Sequence, residues 1–186
     1  MPAGDANRLI RPFGRTLVLV DIENLVGDPL PSSESCDRVR LLLHRICNGA
    51  PFPVVAACSH LAAKSAAFSW HEARWKFRSG KDGADLALIE ELVPNFVANR
   101  FDHLILGSGD GIFTEHVNDL IAAGVAVTVV SRKAALSQKL KQAATSWILI
   151  DDPMTASNTS NVQDLFARST AVPAALACRN EIPLSA

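Results

Sequence analysis

The chain has 186 residues, 48% of them hydrophobic, and 18 Lys and Arg against 19 Asp and Glu give a formal net charge of −1. A chain of this length buries about 70% of the surface its unfolded form exposes, which excludes a small scaffold held together by disulfides or a structural metal. The balanced charge gives no global sign of a polyanion partner, so any nucleic-acid site has to be a local charge cluster.

In chain order, residues 1–15 (MPAGDANRLIRPFGR) are too polar for a signal-peptide core and read as an N-terminal extension. No apolar run reaches the roughly 20 residues a membrane helix requires, so a cytoplasmic protein without membrane contact is expected. The run TLVLV at 16–20 reads as a buried strand, and PVVAAC at 53–58, HLILG at 103–107, VAVTVVS at 125–131 and SWILI at 146–150 read the same way. RWKF at 74–77 alternates faces and suits a shorter strand. Between them lie helical periods. Residues 34–47 line up Val39, Leu42, Leu43 and Ile46 before a stop at Asn48-Gly49, and 84–98 repeat Leu86, Ile89, Val93, Phe96 and Val97 as one buried stripe. Residues 112–123 carry Phe113, Val117, Leu120 and Ile121 up to Gly124, and 134–144 form a shorter helix. This alternation predicts an α/β fold, with a mainly parallel sheet of five or six strands between two helix layers.

The predicted domain spans 16–151. Residues 152–186, rich in Ser, Thr, Asn and Ala, read as a flexible C-terminal tail with one short helix near 161–168. Cys36, Cys47, Cys58 and Cys178 show no CxxC spacing, which suits reduced, buried thiols.

Functional groups in an open parallel sheet collect where strands end and helices begin. Three acidic clusters fall at such exits: Asp21-Ile22-Glu23-Asn24 after the first strand, Lys81-Asp82-Gly83-Ala84-Asp85 before the 84–98 helix, and Ser108-Gly109-Asp110-Gly111 after HLILG. Taken singly, Asp85 and Asp110 read as helix caps. Asp21 is harder to dismiss, because it follows a buried strand where an unpaired carboxylate is costly. Asn24 either caps the next turn or orients Asp21 and a water. Carboxylates gathered at one edge repel unless a cation neutralises them, and Mg2+ or Mn2+ suits such oxygen ligands. The chemistry that follows is metal-assisted phosphodiester hydrolysis.

With LVLVDIENL (17–25), KDGADLALIEEL (81–92), HLILGSGDGIF (103–113), GVAVTVVS (124–131) and LSQKLKQAATSWILID (136–151) in this order and spacing, the chain resembles the NYN domain family of PIN-like nucleases. The resemblance implies a Rossmann-like, three-layer α/β/α fold, a metal-dependent acidic centre using Mg2+ or Mn2+, and RNA as substrate. It assigns catalysis to Asp21, Asn24, Asp85, Ser108 and Asp110, with Asp21, Asp85 and Asp110 as metal ligands. Many members carry a second aspartate two residues after the SGD aspartate, where this chain has Ile112. A second ion would therefore need Glu23, Asp82 or water. Glu91 falls near another acidic position of the family, although six residues beyond Asp85 on a helix it points elsewhere.

For substrate contacts, residues 64–81 hold Lys64, Arg74, Lys76, Arg78 and Lys81 against a single Glu72, with Trp70 and Trp75 interleaved. Such a stretch suits single-stranded RNA, and equally suits a strand with a charged solvent face. A second basic run holds Arg132, Lys133, Lys139 and Lys141. Lys81, Arg132, Lys133 and Arg78 are the candidate RNA contacts. No histidine stands in a catalytic spacing. The expected activity is that of an endoribonuclease, with an RNA- or protein-binding module that has lost catalysis as the alternative. A homodimer paired through an exposed helix is compatible with the pattern.

Overall fold

The structure, a computed structural model, describes residues 14–47 and 51–150. The expected N-terminal extension lies almost wholly outside these residues. The C-terminal tail with its helix near 161–168, the stop at Asn48-Gly49 and Cys178 also lie outside them.

Six strands form one all-parallel sheet: β1 (Thr16–Asp21), β2 (Val54–Cys58), β3 (Arg74–Phe77), β4 (His103–Gly107), β5 (Ala126–Arg132) and β6 (Ser146–Ile150), in the order β3-β2-β1-β4-β5-β6. The runs of Leu, Val and Ile in β1, β2 and β4 are buried on both faces, as a doubly covered parallel sheet demands. One face, through Val18, Val20, Ile105 and Val130, packs on α1 (Ile22–Val26), α2 (Ser33–Ile46) and α3 (Ala63–Ser69). The other, through Leu19, Val55, Leu106 and Val129, packs on α4 (Gly83–Ile89), α5 (Pro94–Ala98), α6 (Thr114–Ala122) and α7 (Gln138–Ala143). The architecture is the three-layer α/β/α one expected, with an all-parallel sheet. The strand order reverses between β1 and β4, and Asp21 and Asp110 emerge at the carboxyl ends of these two strands, where such a sheet commonly places its functional groups.

Several elements differ from the sequence reading. The helix expected over 84–98 is two helices, α4 and α5, with Pro94 at the start of the second. Proline lacks the N–H that would continue the first helix and suits the first turn of a new one. The break leaves Leu92 and Val97 buried but Val93 and Phe96 exposed, so the single stripe does not form. The 134–144 helix is shorter, since Ser137 N donates to Gly109 O at 2.8 Å and holds the preceding residues as a loop. Helices α1 and α3 were not expected: five residues are too few to show a period, and AKSAAFS is nearly featureless in hydropathy. Cys36, Cys47 and Cys58 are free and buried.

Candidate active site at the carboxyl edge

Asp21 ends β1 and is 5% exposed. It adopts extended backbone and caps α1, accepting a hydrogen bond from Asn24 N at 3.0 Å. Asp85 sits in the first turn of α4 and is 7% exposed. Burial pushes the Asp21 carboxyl above the ordinary carboxylate range, against the opposing hydrogen bond from Asn24 N. Burial also raises Asp85, and the charges of Asp21 and Asp110 add to it. No backbone or side-chain donor among the described residues reaches the buried Oδ1 of Asp85.

Asp110 follows β4, half-buried, and its Oδ1 accepts from Ile112 N at 2.9 Å. Ser108 is fully buried, and its Oγ accepts from Asp110 N at 3.3 Å. The charge of Asp82, at the exposed start of α4, also reaches Asp85, and its backbone is left-handed at φ 55°. Asn24 has a role the sequence did not define: its Oδ1 accepts from Gly109 N at 3.0 Å, latching the exit of β1 to the exit of β4. Glu23 Oε1 accepts from Ser59 N at 3.0 Å and ties the same turn to the exit of β2. Gly109 has no room for a side chain, since a Cβ there would lie 2.3 Å from Ser131 Oγ and 2.4 Å from Ala135 O. That contact, carried by the glycine of SGD, is one that the sequence reading missed.

The candidate RNA contacts fall into two groups. Arg132 is engaged, its Nε donating to Asn24 O at 2.9 Å and its guanidinium occupying the space where a Cβ at Gly27 would sit. Gly27 takes φ 80°, which only glycine adopts freely. Arg78 pairs with Glu90 at 3.1 Å. Glu91 stands with Arg74 and Lys76, the latter at 2.7 Å, rather than with the carboxyl cluster. Lys81 and Lys133 are exposed and make no ion pair among the described residues. Trp70 is buried, and Trp75 is half-buried.

Among the described residues, no three His, Cys, Asp or Glu side chains stand close enough to form a complete metal shell. What fits a hard cation is the donor chemistry: two buried carboxyl groups, an Asp85 oxygen that no donor reaches, and a third carboxylate in electrostatic range. Such ions commonly take one or two carboxylates and complete their shell with water and phosphate oxygens.

A family model described as NYN domain matches residues 15–151. A protein of unknown function from Vibrio parahaemolyticus RIMD 2210633 is similar in structure at 20% identity and a TM-score of 0.54, over 75% of this chain and 94% of that one, and it shares the fold. MAR1 ribonuclease from Caenorhabditis elegans aligns at 16% identity and a TM-score of 0.39, over 95% of this chain and 98% of that one. No curated protein matches the sequence.

Proposed function

The chain belongs to the NYN domain family, within the PIN-like nucleases, and from that premise we propose that it is a metal-dependent endoribonuclease acting on single-stranded RNA. The observation that carries this reading is the meeting of Asp21 and Asp85, from separate elements, in one buried carboxyl pair under the influence of Asp110. Asp21 and Asp85 would hold Mg2+ or Mn2+, with Asp110 completing the acidic face directly or through water. Bound there, the ion would supply Lewis acidity and lower the pKa of a water for attack on a phosphodiester.

The protein's own residues have distinct tasks. Asp21 and Asp85 would present carboxylate oxygens to the cation, whose charge would favour their ionised forms. Asn24 and Ser108 keep the Asp110 loop at a fixed distance from Asp21 through Gly109 N and Asp110 N. Arg132 braces the β1–α1 turn from β5. Lys81 and Lys133, exposed and unpaired, are the cations left to meet substrate phosphates. The domain is taken to span 16–151 and to act in the cytoplasm. No described helix is long and apolar enough to cross a membrane.

Purified protein with Mn2+ and a labelled single-stranded RNA should yield 3′-hydroxyl and 5′-phosphate ends. Asp21→Asn, Asp85→Asn and Asp110→Asn should each lower the rate by about a hundredfold or more, and EDTA should abolish it. Wild-type cleavage by the Asp21→Asn/Asp110→Asn double variant overturns the site.

One observation favours a second reading, a binding module that has lost catalysis: Ile112 is apolar and half-buried against the α4–α7 core, and its N–H occupies Asp110 Oδ1. RNA retained by the purified protein with Mn2+ but never cut would select that reading.

A further inference from the structure

Phe77 ends β3 at the same carboxyl edge, in register with Cys58 on β2, whose neighbour Ala57 is in register with Asp21. Two strand spacings place the Phe77 backbone roughly 10 Å from that of Asp21. Its ring is 38% exposed and lies parallel to that of Trp75, with centroids 6.0 Å apart and planes 3° apart. Trp75 is fixed in turn: it packs against the α1–α3 core and its Nε1 donates to Trp70 O at 3.0 Å. On another side the His60 ring stands 6.4 Å from Phe77, with its Nδ1 hydrogen-bonded to Ser79 Oγ at 3.0 Å. An isolated exposed phenylalanine needs no explanation. This one is held rigid from two sides and so has little freedom to lose on binding.

The charge around it points to the occupant. Arg74, Lys76 and Arg78 are paired with Glu90 and Glu91, whereas Lys81, four residues after Phe77 on the segment that runs to Asp85, is exposed and makes no ion pair among the described residues. A flat apolar ring with an unpaired cation on the following segment suits an unstacked base and a phosphate of the same strand.

We infer that Phe77 is a nucleobase-stacking subsite, which receives an unpaired base of single-stranded RNA at the carboxyl edge, on the α1–α3 side of the sheet, opposite the α4 side that carries Asp85, so that the strand crosses the edge between the two. This rests on the ribonuclease reading and deepens it: a duplex cannot present the free base face that the subsite requires.

The test uses the full chain carrying Asp21→Asn to stop turnover, with binding of a labelled single-stranded RNA followed by fluorescence anisotropy. Phe77→Ala should weaken binding about tenfold, while Phe77→Trp restores it. Moving one abasic position along the RNA should find a site that weakens binding to the parent and leaves binding to Phe77→Ala unchanged. Equal affinity of the parent and Phe77→Ala overturns the subsite, and the nuclease reading then stands or falls on cleavage by the protein with Asp21 intact. A Phe77→Ala protein that changes oligomeric state at unchanged RNA affinity assigns the ring to a protein contact and also overturns the subsite. Absence of both RNA binding and cleavage overturns the two readings together.

Discussion

At the carboxyl edge of the sheet, Asp21 and Asp85 are both buried, and the charge of Asp21 disfavours the ionised form of Asp85. At the amino edge His103 is buried too, its Nε2 2.8 Å from Thr128 Oγ1, which is in turn 2.8 Å from Ser146 Oγ. Burial pushes the His103 ring down to about 4, so it stays neutral at ordinary pH and needs no counter-charge. The carboxyl pair differs because burial raises both groups and the charge of Asp21 further disfavours an ionised Asp85, a conflict that a proton or a cation relieves. The two edges differ in shape as well. Hollows of about 610 and 550 Å³ sit at the amino edge, lined by residues such as Arg15, Phe52, Arg100 and Phe101, away from the carboxyl cluster. Burial therefore has opposite consequences at the two edges: it keeps a histidine neutral at one and holds two carboxyl groups above their ordinary range at the other.

The comparison breaks most severely at Gly109. In Gly109→Ala the new Cβ would meet backbone as well as Ser131, so the loop has to move, with a stability loss of about 1–3 kcal/mol. Displacing Asp110 by even a fraction of its reach should cut cleavage about a hundredfold, as single-turnover rates would report. Asn24→Ala removes the latch without adding bulk. It should lower cleavage about tenfold and cost roughly 1 kcal/mol in denaturant melts.

Asp85→Asn tests the carboxyl conflict through pH. Both carboxyls are raised in the fold, so the native chain keeps protons where the unfolded chain has lost them. Stability of the metal-free protein should be fullest below the ordinary carboxylate pKa and fall as pH rises through the raised values. The variant lacks the part of that fall that Asp85 contributes and keeps the part due to Asp21, whose shift comes first from burial. Its Tm should exceed that of the wild type by about 3–5 °C near pH 8 and match it near pH 4, and Mn2+ should close the gap by stabilising only the wild type.

The smallest effect is expected at the other edge. His103 has a lowered pKa, so its contribution is present above the unfolded value and is lost as pH falls toward about 4. His103→Leu should remove that acid limb from thermal melts, change stability at pH 7 by no more than about 1 kcal/mol, and leave cleavage unaltered.

Much of this was legible in the residues. The Leu- and Val-rich runs are too apolar for anything but doubly buried strands, and an aspartate directly after one of them, Asp21, has no cheap structural excuse. The 84–98 helix was misread because the apolar period continues across Pro94, and periodicity does not register a missing N–H. Arg132 illustrates the other limit. A basic residue at a strand exit looks like a phosphate contact, yet its Nε is held by Asn24 O, 108 positions away in sequence.

The sequence by itself determined the alternation of strands and helices and the placing of acids at strand exits, since both follow from local hydropathy and the cost of burying charge. Only the tertiary structure decided which acids meet, that Asn24 is a latch, that Glu91 belongs to Arg74 and Lys76, and that Phe77 stands exposed on a fixed neighbour. Those outcomes depend on strand order and helix placement. Contacts between residues distant in the chain are set by how the sheet assembles, and no local pattern encodes that distance.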